Sequence, residues 1–174
     1  GPLHGVPWSA LHEGPVSLAP SATAWLATAA APVPVTGTAG GTVLVAGPGL
    51  VGAQEEVEAL AAVHAHARVF DAASSLVAPV SRALRGADLA HLACHGVPRA
   101  DNPMFSSLLL ADGSVTVQEL HRAGVAPRRL VLASCHSGAD VAYAGDEVLG
   151  FVSGMLARGT AGLVANIAAV PDVE

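Results

Sequence analysis

Four short stretches, residues 42–46, 88–93, 129–133 and 162–168, are apolar and β-prone along nearly their whole length instead of alternating with polar residues. Such runs suit strands covered on both faces, which is the environment of a parallel sheet sandwiched between helices. Between the first two, residues 53–67 repeat at helical spacing. Val57, Leu60, Ala61 and Val63 fall on one side, and Glu55, Glu56 and Glu58 sit near the start, where carboxylates suit the helix dipole. A short strand is expected at 67–70, then a helix from about residue 74 to 85 with Ser74 or Ser75 as its cap. Strands alternating with helices imply an α/β fold of three layers, a mainly parallel sheet with helices on both faces.

The rest of the chain follows the same grammar. Residues 98–103 read as a loop, and 107–110 with 114–117 as a hairpin around Asp112-Gly113. Helices are expected at 117–123 and at 146–158, the second ended by Gly159. Residues 1–41 form a lead-in rich in Pro, Gly, Ser and Thr, with a short helix after Pro20, so residues 1–174 read as one domain with its α/β core at 42–174. The chain stops directly after its last strand, where a three-layer sheet expects a covering helix. A fold truncated at its C-terminus is therefore expected.

Composition excludes several function classes. With 52% hydrophobic and 13% charged residues the chain has the makings of a packed core. Its net charge is −6, and the one tight basic group is Arg122, Arg128 and Arg129, so no basic stripe is available for nucleic acid. All eight basic residues are arginine, which rules out Schiff-base, Walker-type and serine–lysine chemistry. The longest uncharged stretch, 14–54, is broken by Pro and Gly and cannot span a membrane. Two cysteines, Cys94 and Cys135, in a chain that needs no disulfide staple suggest free thiols in a reducing cytoplasm.

Chemistry in doubly wound sheets gathers at the carboxyl ends of strands. Two strands end in reactive residues: one in Cys94-His95-Gly96, the other in Ser134-Cys135-His136-Ser137-Gly138. If those strands are parallel neighbours, His95 and Cys135 emerge at the same edge. An imidazole there would lower the thiol pKa and carry its proton. The competing account is a core cysteine and a histidine satisfied by its surroundings. His91 shares a face with His95 but lies about 13 Å from it along a strand, so it reads as structural. Cys94 points to the opposite face and reads as buried packing. His136 would project away from Cys135, which favours His95 as the base.

Three further readings of the sequence compete with this one. A metal site from His91, Cys94, Cys135 and His136 is opposed by their placement on two strands and opposite faces, so no metal is expected. Gly47-Pro48-Gly49-Leu50-Val51-Gly52, with Asp71 beyond it, has the spacing of a dinucleotide fingerprint. Pro48 removes a backbone donor, however, and the three glutamates oppose a pyrophosphate. Asp101, Asp112, Asp140 and Asp146 fall in loops near strand ends, where any of them could line a substrate groove.

The motifs His91-Leu-Ala-Cys-His95-Gly96, Ser107-Leu-Leu-Leu-Ala-Asp-Gly113 and Leu132-Ala-Ser-Cys135-His-Ser-Gly138 resemble those of the CHAT domain family. The likeness continues through Gly145-Asp-Glu-Val-Leu-Gly150, Pro48 to Leu60 and Leu3-His-Gly-Val-Pro-Trp8, and so spans nearly the whole chain. It implies a caspase-like fold and cysteine peptidase activity through an acyl-enzyme, with no cofactor. By position, His95 matches the family's catalytic histidine and Cys135 its nucleophile, and the backbone N–H groups of Gly96 and Cys135 would form the oxyanion hole. The resemblance also implies a protein or peptide substrate, and regulatory repeat or sensor domains in the same, bacterial, polypeptide. Where the similar metacaspase motif carries an aspartate for basic residues, this chain has Ala133, which leaves Asp140 or Asp146 to supply any such preference. Many relatives also carry a Trp before the Pro-Asp-like segment, where this chain has Ala165-Asn-Ile-Ala-Ala169. A non-catalytic scaffold module of the same fold and, further off, a dinucleotide-binding domain are the alternatives.

Overall fold

The computed structural model describes residues 8–17, 19, 21–29, 40–97, 99, 101–133, 154–156 and 158–165. After a 3-10 turn at Trp8–Ala10 and helix α1 (Ala22–Ala29) come β1 (Gly40–Ala46), α2 (Ala53–Val63), β2 (Arg68–Phe70), α3 (Val77–Leu84) and β3 (Ala87–Ala93). The chain then enters β4 (Gly96–Val97), a 3-10 turn at Pro103–Phe105, β5 (Ser107–Leu110), β6 (Gly113–Thr116), α4 (Val117–Arg122), β7 (Arg129–Leu132) and β8 (Gly162–Ala165). Among the described residues no helix is long and apolar enough to cross a membrane.

The apolar runs do form the parallel sheet. Its five strands are ordered β2-β1-β3-β7-β8, and every neighbouring pair is parallel. Successive residues of these strands supply two different cores, as the period of two requires. Val43, Val45, Ala90, Leu92, Cys94, Leu130 and Leu132 join Val80 and Leu84 of α3 and Leu120 of α4 on one face. Leu44, Ala46 and Ala93 meet Ala53 and Val57 of α2 on the other. Each fully buried valine or leucine contributes on the order of 1.5–3 kcal/mol. Helices on both faces and a parallel sheet between them are the α/β architecture expected.

From β1 the chain passes through α2 to β2 on one side, then through α3 to β3 on the other. The strand order therefore reverses between β1 and β3, and the carboxyl ends of these two strands flank the crevice where such folds bind their ligands. At the opposite end of the sheet Asp88 is clamped by arginines. Arg129 Nη2 donates to Asp88 Oδ2 at 2.5 Å, and Arg128 Nη1 lies 3.7 Å from Oδ1. Two members of the one tight basic group thus tie β3 to β7.

Two local expectations need correction. The third helix starts at Val77, because Asp71 Oδ1 accepts the N–H groups of Ala73 and Ser74 at 3.0 and 2.7 Å and holds that stretch in a turn. Neither Ser74 nor Ser75 caps it; Asp112 Oδ1, 35 residues away, accepts the Val77 N–H at 2.7 Å. The hairpin turn is Ala111-Asp112, one residue earlier than Asp112-Gly113, since Leu110 pairs with Gly113. The Ala111 N–H also donates to Ser75 O at 3.0 Å, so the hairpin tip docks on the start of α3. Strand β4, only two residues long, was not anticipated.

Helix α4 carries a reciprocal cap that the segment Thr116-Val-Gln-Glu119 encodes. Thr116 Oγ1 accepts the Glu119 N–H at 3.1 Å, and Glu119 Oε2 accepts the Thr116 N–H at 2.8 Å. The Thr116 N–H, above all, holds the Glu119 carboxyl below its ordinary pKa. A carboxylate lowered in this way stabilises the fold above the ordinary carboxylate range and loses that contribution as pH falls through its folded value. We expect Thr116→Ala to cost about 1 kcal/mol in urea unfolding at pH 7. The difference from the wild type should shrink in acid, where both proteins have lost the Glu119 half of the box.

Candidate functional site

The site is built where β1 and β3 leave the sheet. Gly47 follows β1, and its N–H donates to Ala93 O at 2.7 Å. A Cβ on Gly47 would lie 2.3 Å from Cys94 Cβ, 2.8 Å from its Cα and 3.1 Å from Leu109 O. Only a residue without a side chain lets the two strand exits come this close. Two residues on, Gly49 has φ +72, the left-handed region that glycine enters without strain, and a Cβ there would lie 3.8 Å from His95 Nε2. The turn after β1 thus lies against the imidazole.

His95 itself is partly buried and held by its backbone at the junction of two sheets. Its carbonyl oxygen accepts the Leu109 N–H at 2.8 Å. Beyond it β4 pairs antiparallel with β5, Gly96 opposite Leu108 and Val97 opposite Ser107, in a small sheet ordered β4-β5-β6. Because Leu109 N–H bonds the His95 carbonyl, Gly96 and Leu108 form a non-hydrogen-bonded pair. The Gly96 N–H is accordingly turned away from β5, toward the side of β4 on which no described strand lies.

Cys94 points the other way. It is fully buried among Leu92, Leu108, Leu110 and Val115, and burial pushes its thiol up to about 12. A thiol in that state is inert near neutral pH. His91, on the α2 side of β3, is 8% exposed, and its Nε2 lies 2.9 Å from Glu56 Oε1. The approach is poorly aligned for a hydrogen bond, so the two groups form a close contact of ring and carboxylate. His91 therefore ties the start of α2 to β3 and is structural, as its spacing from His95 predicts.

The remaining sequence candidates divide plainly. Asp101 forms a paired contact with Arg99, at 3.0 Å from Nε and 2.9 Å from Nη2, in an exposed loop. Asp112 is a helix cap and Asp71 is engaged in its own turn. The last point, together with the use of the Gly47 N–H by Ala93 O, removes two elements that a dinucleotide site would need. His91 and Cys94 face opposite cores, so they cannot share a metal ion. Ala133 packs with the α2-side core, and its N–H donates to Leu92 O at 3.0 Å. Cys135, His136, Asp140 and Asp146 lie outside the described residues, as does most of 146–158.

The contact of the Gly47–Gly49 turn with His95 was missed from sequence. Its signal was present: of the three glycines that imitate a nucleotide fingerprint, Gly47 permits the close strand approach and Gly49 brings the turn beside His95.

Fold and geometry define a doubly wound α/β domain with a histidine presented at its topological switch point. The model of the CHAT domain family matches residues 1–174, and the chain belongs to that family, whose members have a caspase-like fold. No curated protein matches the chain.

Two outcomes follow from this geometry. With Cys135 replaced by alanine, the folded protein at pH 8 should react with a thiol reagent far more slowly than the urea-unfolded one, because Cys94 is buried and burial holds its thiol well above its ordinary pKa. Gly47→Ala should cost about 1–3 kcal/mol in thermal or chemical unfolding, since it meets backbone as well as a side chain.

Proposed function

We propose that the chain is a cysteine endopeptidase domain in which His95 and Cys135 form the catalytic dyad. The observation that carries this reading is a register. Strands β3 and β7 are parallel neighbours with Leu92 opposite Leu132. His95 follows Leu92 by three residues, and Cys135 follows Leu132 by the same three. Adjacent strands are separated by about 4.8 Å, so equal counts from a matched pair favour side chains within reach of each other.

In this mechanism His95 takes the proton from the Cys135 thiol, and the thiolate attacks the peptide carbonyl carbon. The oxyanion that develops is met by backbone N–H groups of Gly96 and Cys135. The outward turn of the Gly96 N–H supports that role. When the C–N bond breaks, His95 returns its proton to the leaving amine, and a thioester remains on Cys135. Water then attacks the thioester while His95 accepts its proton, releasing the acid and the free thiol. The inert Cys94 leaves Cys135 as the nucleophile of the pair.

Asp140 and Asp146, on the segment after Cys135, are the groove acids of this reading. Substrates are proteins or peptides, and neighbouring repeat or sensor domains of the same polypeptide control access, in keeping with the frequent fusion of CHAT domains to repeats. A reducing cytoplasm suits the free thiol.

The test uses the full-length protein, any activating partner present, and a diverse peptide library read by mass spectrometry. Cleavage should fall by at least about a thousandfold in Cys135→Ala and in His95→Ala, on the scale of losing a nucleophile or its base. Cleavage that survives Cys135→Ala would overturn the assignment. Uptake of a peptidyl electrophile at Cys135, slowed in His95→Ala, checks the dyad independently of substrate; a module without catalysis would take up none.

A further inference from the structure

Beside His95 the small antiparallel sheet presents an apolar ledge that the catalytic reading leaves unused. Residues directly opposite in an antiparallel pair share a face. Leu108 and Leu110 are buried with Cys94 in the core under β4 and β5, so the residues that alternate with them along β5 face outward. Those outward residues are Leu109, which stands opposite His95 through the hydrogen bond to its carbonyl, and Ser107, which stands opposite Val97. The ledge therefore runs from His95 to Leu109 and Val97. Its two aliphatic side chains are 37% and 50% exposed.

The turn that lies against the imidazole continues this character. Residues 47–52, 94–97 and 106–110 contain no Asp, Glu, Lys or Arg. Val51 in that turn is 65% exposed. Arg99 and Asp101, which follow Val97, are engaged with each other, so a charged side chain laid on the aliphatic ledge would lose water without gaining a bonded partner, a cost an aliphatic side chain does not bear.

Resting on the dyad proposed above, we infer that Val97 and Leu109 form the subsite for the residue that follows the scissile bond, and that this subsite selects an aliphatic side chain. The assignment to that side of the bond follows from the chemistry. His95 must deliver a proton to the departing amine, so the leaving half of the substrate lies along the imidazole and not along β7. Continuing past His95, it meets β4 and β5. The small sheet is thus a specificity element for the leaving peptide, separate from whatever recognises the acyl half.

The experiment measures full-length protein on quenched peptides varied only at the first residue after the cut, beside an activated ester of the same acyl sequence that has no such residue. Val, Leu and Ile should be preferred over Asp, Glu, Lys and Arg by on the order of tenfold or more in kcat/KM, the scale of hydrophobic-pocket discrimination. Val97→Asp and Leu109→Asp should each lower kcat/KM for the aliphatic peptides at least tenfold more than for the ester. Val63→Asp, at an exposed position on α2, controls for added charge. A flat or charge-preferring profile, or equal losses on peptide and ester, would overturn the subsite while leaving the dyad standing. Absence of cleavage together with absence of Cys135 labelling would overturn both.

Discussion

The close approach of two strand exits governs this molecule. Where β1 and β3 leave the sheet, Gly47 stands against Cys94 with no room for a methyl group between them. That contact closes the base of the crevice at the point where strand order reverses, and it brings the following turn onto the His95 imidazole. A bulkier residue would separate the exits and move the turn, the imidazole and the start of β4 together. The glycine is thus a requirement of packing, met in a motif that elsewhere cradles phosphates.

Burial then divides the two neighbouring residues Cys94 and His95 by chemistry. Alternation carried past the end of β3 sends the first into an aliphatic core, where a thiolate is too costly to form, and the second to the opposite side, beside a turn with no charged group. One step along the chain separates a buried, inert thiol from an imidazole at the crevice. The same alternation, carried into β4 and β5, exposes Val97 and Leu109 on the face that His95 shares. A single periodicity thereby arranges core, imidazole and ledge.

Much of the architecture was legible because its signals are local. Uninterrupted apolar runs announced the central strands, and the motifs around His95 and Cys135 announced the family. The misplacements have a common physical cause. The α3 start and the hairpin turn are set by Asp71, Asp112 and Ser75, whose bonds depend on which loops come to lie side by side. Asp112 reads from sequence as a loop acid that could line a groove, because nothing near it in the chain reveals that a helix start 35 residues away lacks a cap. Strand β4 escaped notice for the same reason: two residues have no periodicity, and only their partner in β5 makes them a strand.

The order of strands and helices, the two strand-end motifs and the membership of the CHAT family belong to the chain's linear pattern, since each rests on neighbouring residues or fixed motifs. Which cysteine is silenced by burial, which acid becomes a cap, and which turn meets the histidine are properties of the folded chain alone. They depend on contacts such as Gly47 with Cys94, between segments far apart in sequence, and a contact of that kind has no local trace before the sheet assembles.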